Sequence, residues 1–191
     1  MEHFTRQTLL QKIRDVQNED SWNEFVGIYR PYIYVIIKNL GVRSTEIEDH
    51  VQSTLVICWQ KLPDFEYEPE RGRFRYWLSR IAKYTVNNHI RKFSRRSELD
   101  KKLDLPTSLS PEIEEISDKE WKIFISKKAW DNIQASLSKN ARLCFEALMI
   151  GESFDSISQR LDIPKNTISV NKKRTEEKMF KEIQRLQREL G

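Results

Sequence analysis

The chain reads as all-α: two small helical domains joined by a flexible acidic linker. Three observations predict this. Only five of 191 residues are glycine, while 38% are hydrophobic and 32% are charged, a balance that favours helices over sheets. Apolar residues recur at i, i+3, i+4 and i+7 in most segments. The stretch 97–118 interrupts that pattern with Pro106, Pro111, five serine or threonine residues and a strong acidic excess, which marks a linker. The expected boundaries are a first domain over 1–96, the linker over 97–118 and a second domain over 119–191.

Thr8 to Gln17 carries Leu9, Leu10, Ile13 and Val16 at helical spacing. A second helix is expected from about Trp22 to Leu40, with Trp22, Phe25, Val26, Tyr29, Ile33, Ile36, Ile37 and Leu40 inward, a kink or break at Pro31, and Gly41 as the stop. Ser44 or Thr45 opens a third helix, whose first turn holds Glu46, Glu48 and Asp49, acids that suit the positive end of the helix dipole. Its apolar face is Ile47, Val51, Leu55 or Thr54, Cys58 and Leu62, and Pro63 ends it. After the polar loop DFEYEPERGR, Phe74, Trp77, Leu78, Ile81, Ala82 and Thr85 define the buried face of a fourth helix. Beyond the linker, Trp121, Phe124, Ile125 and Ile133 mark one helix. Ser138 caps another that ends at Gly151, and Ser153 or Asp155 opens a short one. After the turn LDIP, a long basic helix starts at Lys165. Helix, tight turn and basic helix make the helix-turn-helix pattern.

Charge is laid out in blocks. Residues 44–70 hold seven acids and one base, and residues 71–96 hold nine Lys or Arg and no acid. Residues 97–120 hold eight acids and three bases, and residues 121–191 hold 14 bases against nine acids. Such blocks suit a polyanion-binding surface with acidic segments beside it; a merely solvated, charge-rich surface is the plain alternative.

Nothing in the sequence points to catalysis. His3, His50 and His89 are scattered, and there is no Gly-rich phosphate loop, no GxSxG and no Cys/His metal spacing. No cofactor or metal is expected; Glu46, Glu48 and Asp49 read as dipole-complementing acids. Cys58 and Cys144 read as reduced, apolar residues. No signal pattern and no run long enough for a membrane span is present, so the expected location is cytoplasmic, without membrane insertion.

The basic helix has an outward stripe of Tyr76, Arg80, Tyr84, Asn87 and Arg91, with Lys83 beside it. Cations neutralise phosphates and exposed rings stack on unpaired bases, so this face, with Arg71, Arg73 and Arg75 before it, is the candidate surface for single-stranded nucleic acid. Phe74 and Trp77 are expected in the core instead. In the last helix, Lys165, Asn166, Thr167, Ser169, Asn171, Lys172, Lys173 and Arg174 offer short polar groups and then cations, a mix that reads base edges and holds phosphates.

The order of these pieces resembles the sigma-70 family of bacterial RNA polymerase sigma factors, specifically the two-domain extracytoplasmic-function type. IEDHVQSTLVICWQKLPDF resembles its D-x-V-Q-E-T motif through Asp49, Val51, Gln52 and Thr54. GRFRYWLSRIAKYTVNNHIRK resembles its F-x-x-W-L-x-x-I-A motif through Phe74, Trp77, Leu78, Ile81 and Ala82. LSKNARLCFEALMIGESFDSISQRLDIPKNTISV resembles the region four helix-turn-helix. Ser53 stands where the family has Glu, Tyr84 and Asn88 where it has Asn and Asp, and Asp162 and Pro164 where its turn has Gly and Ser. Asn171 and Lys172 depart as well.

The resemblance implies a non-catalytic transcription-initiation factor. Asp49, Gln52 and Ser53 would dock on the beta-prime clamp of core RNA polymerase, and the second domain would contact the beta flap. The basic helix would bind and help open the promoter's minus-ten element, and the last helix would read the minus-thirty-five element. Promoter DNA and core polymerase are then the partners, an anti-sigma factor is a further candidate, and the free chain is a monomer. The other reading is a helix-turn-helix regulator that acts without the polymerase and dimerises on a palindrome.

Overall fold

The computed structural model describes residues 19–65, 73–94 and 110–190, with the backbone alone for 89–94. Among them are seven α-helices and no strand: α1 (Glu19–Asn39), α2 (Ile47–Lys61), α3 (Phe74–Ser94), α4 (Pro111–Ile133), α5 (Lys139–Met149), α6 (Phe154–Leu161) and α7 (Lys165–Leu190). A single 3₁₀ turn, Gln134–Ser136, follows α4. The helix expected over Thr8–Gln17 lies outside the described residues. By its contacts the chain divides into one unit of Met1–Phe124 with Glu189–Gly191 and another of Ile125–Arg188.

In the first unit α1, α2 and α3 pack on one another. Helix α1 contributes Phe25, Tyr29, Tyr32, Ile33, Ile36 and Ile37 to the core, α2 contributes Ile47, Val51 and Cys58, and α3 contributes Phe74, Trp77, Leu78, Ile81 and Ala82. Phe74 is the hub of a ring cluster, with centroids 5.3 Å from Tyr29, 5.7 Å from Phe65 and 5.3 Å from Trp77. Such offset and edge-on ring pairs add to the burial of apolar area. Burial raises the Cys58 thiol far above its ordinary range, so it remains a protonated apolar filler.

Of the kink or break expected at Pro31, the break does not occur: α1 runs through it. The reason is local. Pro31 and Gly27, four residues earlier, are both exposed, so water can serve the carbonyl that loses its intrahelical donor. Gly41 ends the α1 region with φ of 78°, which glycine adopts without steric penalty. Helix α2 begins at Ile47, two or three residues after the expected start, and its N-cap Glu46 makes no capping side-chain bond. Arg43 pairs with Glu46 there instead. At the Leu55-or-Thr54 position it is Thr54 that is buried. Its hydroxyl donates to the His50 carbonyl at 2.7 Å and shares a bond of 2.9 Å with Thr85, tying α2 to α3.

The linker expectation changes most. Residues 111–118 form the first two turns of α4 and pack against α1 and α3 within the first unit. Tyr32, buried on α1, shares a 2.7 Å hydrogen bond with the Ser117 hydroxyl, and its ring stands edge-on to Trp121 at 5.2 Å. Prolines and acids had signalled a linker here, but Pro111 is the first residue of the helix, where a missing N–H costs nothing, and Glu112 and Glu114 suit its positive end.

In the second unit α5, α6 and α7 share a small core of Cys144, Ala147, Ile157 and Ile168, with Leu148, Phe154, Leu161 and Ile163 against it. The caps match expectation: Ser138 accepts from the Ala141 N–H and Ser153 from the Ser156 N–H, each at 3.2 Å. Between α6 and α7, Asp162 takes a left-handed φ of 51°, and the Ser158 hydroxyl donates to the Ile163 carbonyl at 2.6 Å to close the turn. A side chain in this conformation costs about 1–2 kcal/mol, less for Asp than for most. Asp162→Gly should therefore stabilise the second unit by about 0.5–1 kcal/mol, seen as a higher midpoint of its transition in thermal unfolding.

Candidate nucleic-acid and polymerase interfaces

Three surfaces carry the residues singled out by the sequence. On α2, Asp49, Gln52 and Ser53 are all exposed, and Val56, one turn further on, is an unusual apolar neighbour at 51% exposure. The i, i+3, i+4 spacing puts these four side chains on one outward face. Thr54, a member of the same motif, faces the opposite way and holds the fold together.

On α3, Phe74 and Trp77 are buried as expected. Arg73 and Asn87 are exposed; Tyr76, Arg80, Lys83 and Tyr84 are half-buried. Burial lowers the Arg80 pKa from its ordinary value. Arg71 lies outside the described residues, as does the side chain of Arg91.

Arg75 departs from its expected place in the DNA-facing set. It lies inside α3 rather than in the preceding loop, and it is 4% exposed. Its guanidinium donates to one carboxylate oxygen of Asp118 through Nε at 3.1 Å and Nη2 at 2.5 Å. The Tyr76 hydroxyl donates to the same oxygen at 2.9 Å. The guanidinium carbon also sits 4.8 Å from the Tyr76 ring centre. Burial pushes the Asp118 carboxyl up, but the bonds from Arg75 and Tyr76 outweigh it and hold the group below its ordinary range. Burial and the bond to Asp118 raise the Tyr76 phenol. A buried cation must be paired, and the partner comes from 43 residues away.

On α7, Lys165, Asn166, Thr167, Ser169, Lys173 and Arg174 are exposed and Lys172 is half-buried. Ile168 turns inward, which sets the outward register of the rest. Lys165 forms an ion pair with Asp155 at the start of α6, and Lys172 lies 3.8 Å from Glu176. Glu152 accepts from Arg160 at 2.8 Å and from the Ser156 hydroxyl at 2.7 Å, so the entry to α6 is bound to its end. Among the described residues no cluster of His, Cys, Asp and Glu could hold a metal ion, and no helix is long and apolar enough to cross a membrane.

Residues that sequence reasoning did not single out are Tyr32, Ser79, Ser117 and Asp118. Tyr32 was within reach, since it lies three residues after Tyr29 and four before Ile36. The role of Asp118 had no signal, because it depends on a contact between distant segments.

A helical module with a buried aromatic seam, an acidic outward helix and a basic-aromatic helix is the class these features define. Residues 25–96 match the family model for sigma-70 region 2. The chain is 32% identical, over 65 residues, to the RNA polymerase sigma factor CnrH of Cupriavidus metallidurans. That match takes in 34% of this chain and spans about a third, 32%, of the relative. The solved structure of CnrH in complex with the cytosolic domain of CnrY aligns over 91% of this chain and 94% of that one, at 18% identity and a TM-score of 0.38. The sigma-70 region 2 match thus takes in most of α1 and the whole of α2 and α3.

Proposed function

We propose that this chain is a non-catalytic, cytoplasmic specificity subunit that binds core RNA polymerase, directs it to promoters and helps melt the minus-ten element. The observation that carries the reading is the outward face of α2: Asp49, Gln52 and Ser53 sit exposed beside an exposed Val56, inside the segment that matches sigma-70 region 2. Exposed apolar area flanked by polar groups is the composition of a protein docking surface, and in this reading its occupant is the beta-prime clamp. The outward residues of α3, with Tyr84 as a stacking ring, receive the melted strand. The exposed start of α7 enters the major groove of the minus-thirty-five element, where Asn166, Thr167 and Ser169 reach base edges and the cations that follow hold phosphates. The second unit also contacts the beta flap.

Co-elution with core polymerase, followed by run-off transcription, tests this. The parent chain should co-elute and support promoter-dependent initiation, and Gln52→Ala combined with Val56→Glu should abolish both while leaving the helical content unchanged. Absence of core binding by the parent at moderate salt would remove the reading. A stable free dimer in light scattering would favour the polymerase-independent regulator.

A further inference from the structure

The start of α4 and the outward side of α3 run against each other in opposite directions. Ser110 faces Lys83, with the Lys83 Nζ donating to its hydroxyl at 3.4 Å. Ser117 meets Ser79, their hydroxyls 3.2 Å apart, and Asp118 receives Arg75 and Tyr76. The Lys83 charge also helps hold Glu112 below its ordinary range, after that carboxylate's bonds to Ser110 and to its own backbone N–H. Three of the α3 residues read as DNA ligands, Arg75, Tyr76 and Lys83, are thus engaged by one segment.

That segment, residues 110–118, carries four acids and no base. Its contacts are the ones a nucleic-acid strand would make: an oxygen anion on a guanidinium and a phenol, and hydroxyl oxygens along a cationic helix. The seam is largely polar. Ile113 is the buried apolar side chain of residues 110–118, and Ser117 is held through Tyr32 and Ser79 hydroxyls. Hydroxyls and ions can be returned to water at small cost, unlike an apolar contact.

We propose that residues 110–118 compete, within the same chain, with single-stranded DNA for the outward face of α3, so that the free protein binds a strand weakly until this segment is displaced. The proposal rests on the reading of α3 as the strand-binding helix. When only a fraction of molecules is open, the apparent affinity falls by that fraction, and anything that weakens the Asp118 contact raises it.

The test uses the full chain and a fluorescent oligothymidylate at low salt, with circular dichroism to verify folding. Asp118→Asn keeps the shape and removes the charge; it should tighten binding by roughly three- to tenfold, through a larger open fraction. The gain should shrink when Tyr84→Ala is added. Ser79→Cys with Ser117→Cys provides the opposite arm, since the hydroxyl oxygens are 3.2 Å apart and the native Cys58 and Cys144 are buried. The oxidised, cross-linked form should bind several-fold more weakly than its reduced form.

Equal affinities for parent and Asp118→Asn, or for the oxidised and reduced pair, would overturn the competition while a weakened Tyr84→Ala still supported the strand-binding face. If neither Tyr84→Ala nor Lys83→Ala weakens binding in the parent or in the Asp118→Asn background, the strand-binding reading itself fails, and the competition with it.

Discussion

Phe74→Ala should lower the unfolding free energy of the first unit by about 3–5 kcal/mol, the usual cost of emptying a buried Phe site. Phe74 is completely buried, and its ring centroid lies within 6.2 Å of the Phe25, Tyr29, Phe65 and Trp77 rings. Those neighbours come from α1, from the segment after α2 and from α3 itself, so no single side-chain movement can fill the space. A loss of this size is a large part of the stability of a small domain. Urea unfolding of the full chain, followed by tryptophan fluorescence, should show the first-unit transition at much lower denaturant, with the second-unit transition unchanged. A shift equivalent to less than about 1 kcal/mol would mean that the ring cluster is not the core of the unit.

Lys173→Ala combined with Arg174→Ala should weaken duplex DNA binding and flatten its salt dependence by about two units of log–log slope, near 0.9 for each phosphate that is no longer neutralised. Both cations are exposed in the first half of α7, and the register set by the buried Ile168 turns them outward. Because counterion release is independent of base sequence, the measurement needs no knowledge of the promoter; affinity for any duplex, titrated over salt, suffices. Lys172→Ala is the internal comparison. Lys172 is half-buried and lies beside Glu176 at 3.8 Å, so its removal should change the slope less. An unchanged slope in the double variant would exclude Lys173 and Arg174 as phosphate ligands.

Local signals read well where the chemistry is local. Ser138 and Ser153 cap α5 and α6 through their own hydroxyls, because an N-cap bond spans only three residues. The apolar period of α3 correctly separated Phe74, Trp77, Leu78, Ile81 and Ala82 as core. Composition was a poorer guide over 111–118: prolines, serines and acids describe a linker and a helix N-terminus equally well, and α4 starts there. At Pro31 the helix continues rather than breaks, since both the ring and the residue four positions before it are exposed.

The candidate sites divide along the same line. The outward faces of α2 and α7 follow from helical register once Val51 and Ile168 are known to point inward, and a period of 3.6 residues is legible in one sequence. Arg75 was not legible. In sequence it is one more arginine in a run of cations, close to Arg73; it shares a helical phase with Leu78, Ala82 and Val86, but that phase names no partner for its charge.

What the sequence determined by itself was the all-helical class, the helix caps and the core stripes, because each depends on residues within a few turns of one another. Only the tertiary structure decided that Arg75 leaves the basic surface and that Asp118 receives it. A buried charge needs an opposite charge within hydrogen-bond distance, and which distant carboxylate supplies it is settled by packing, not by neighbours along the chain.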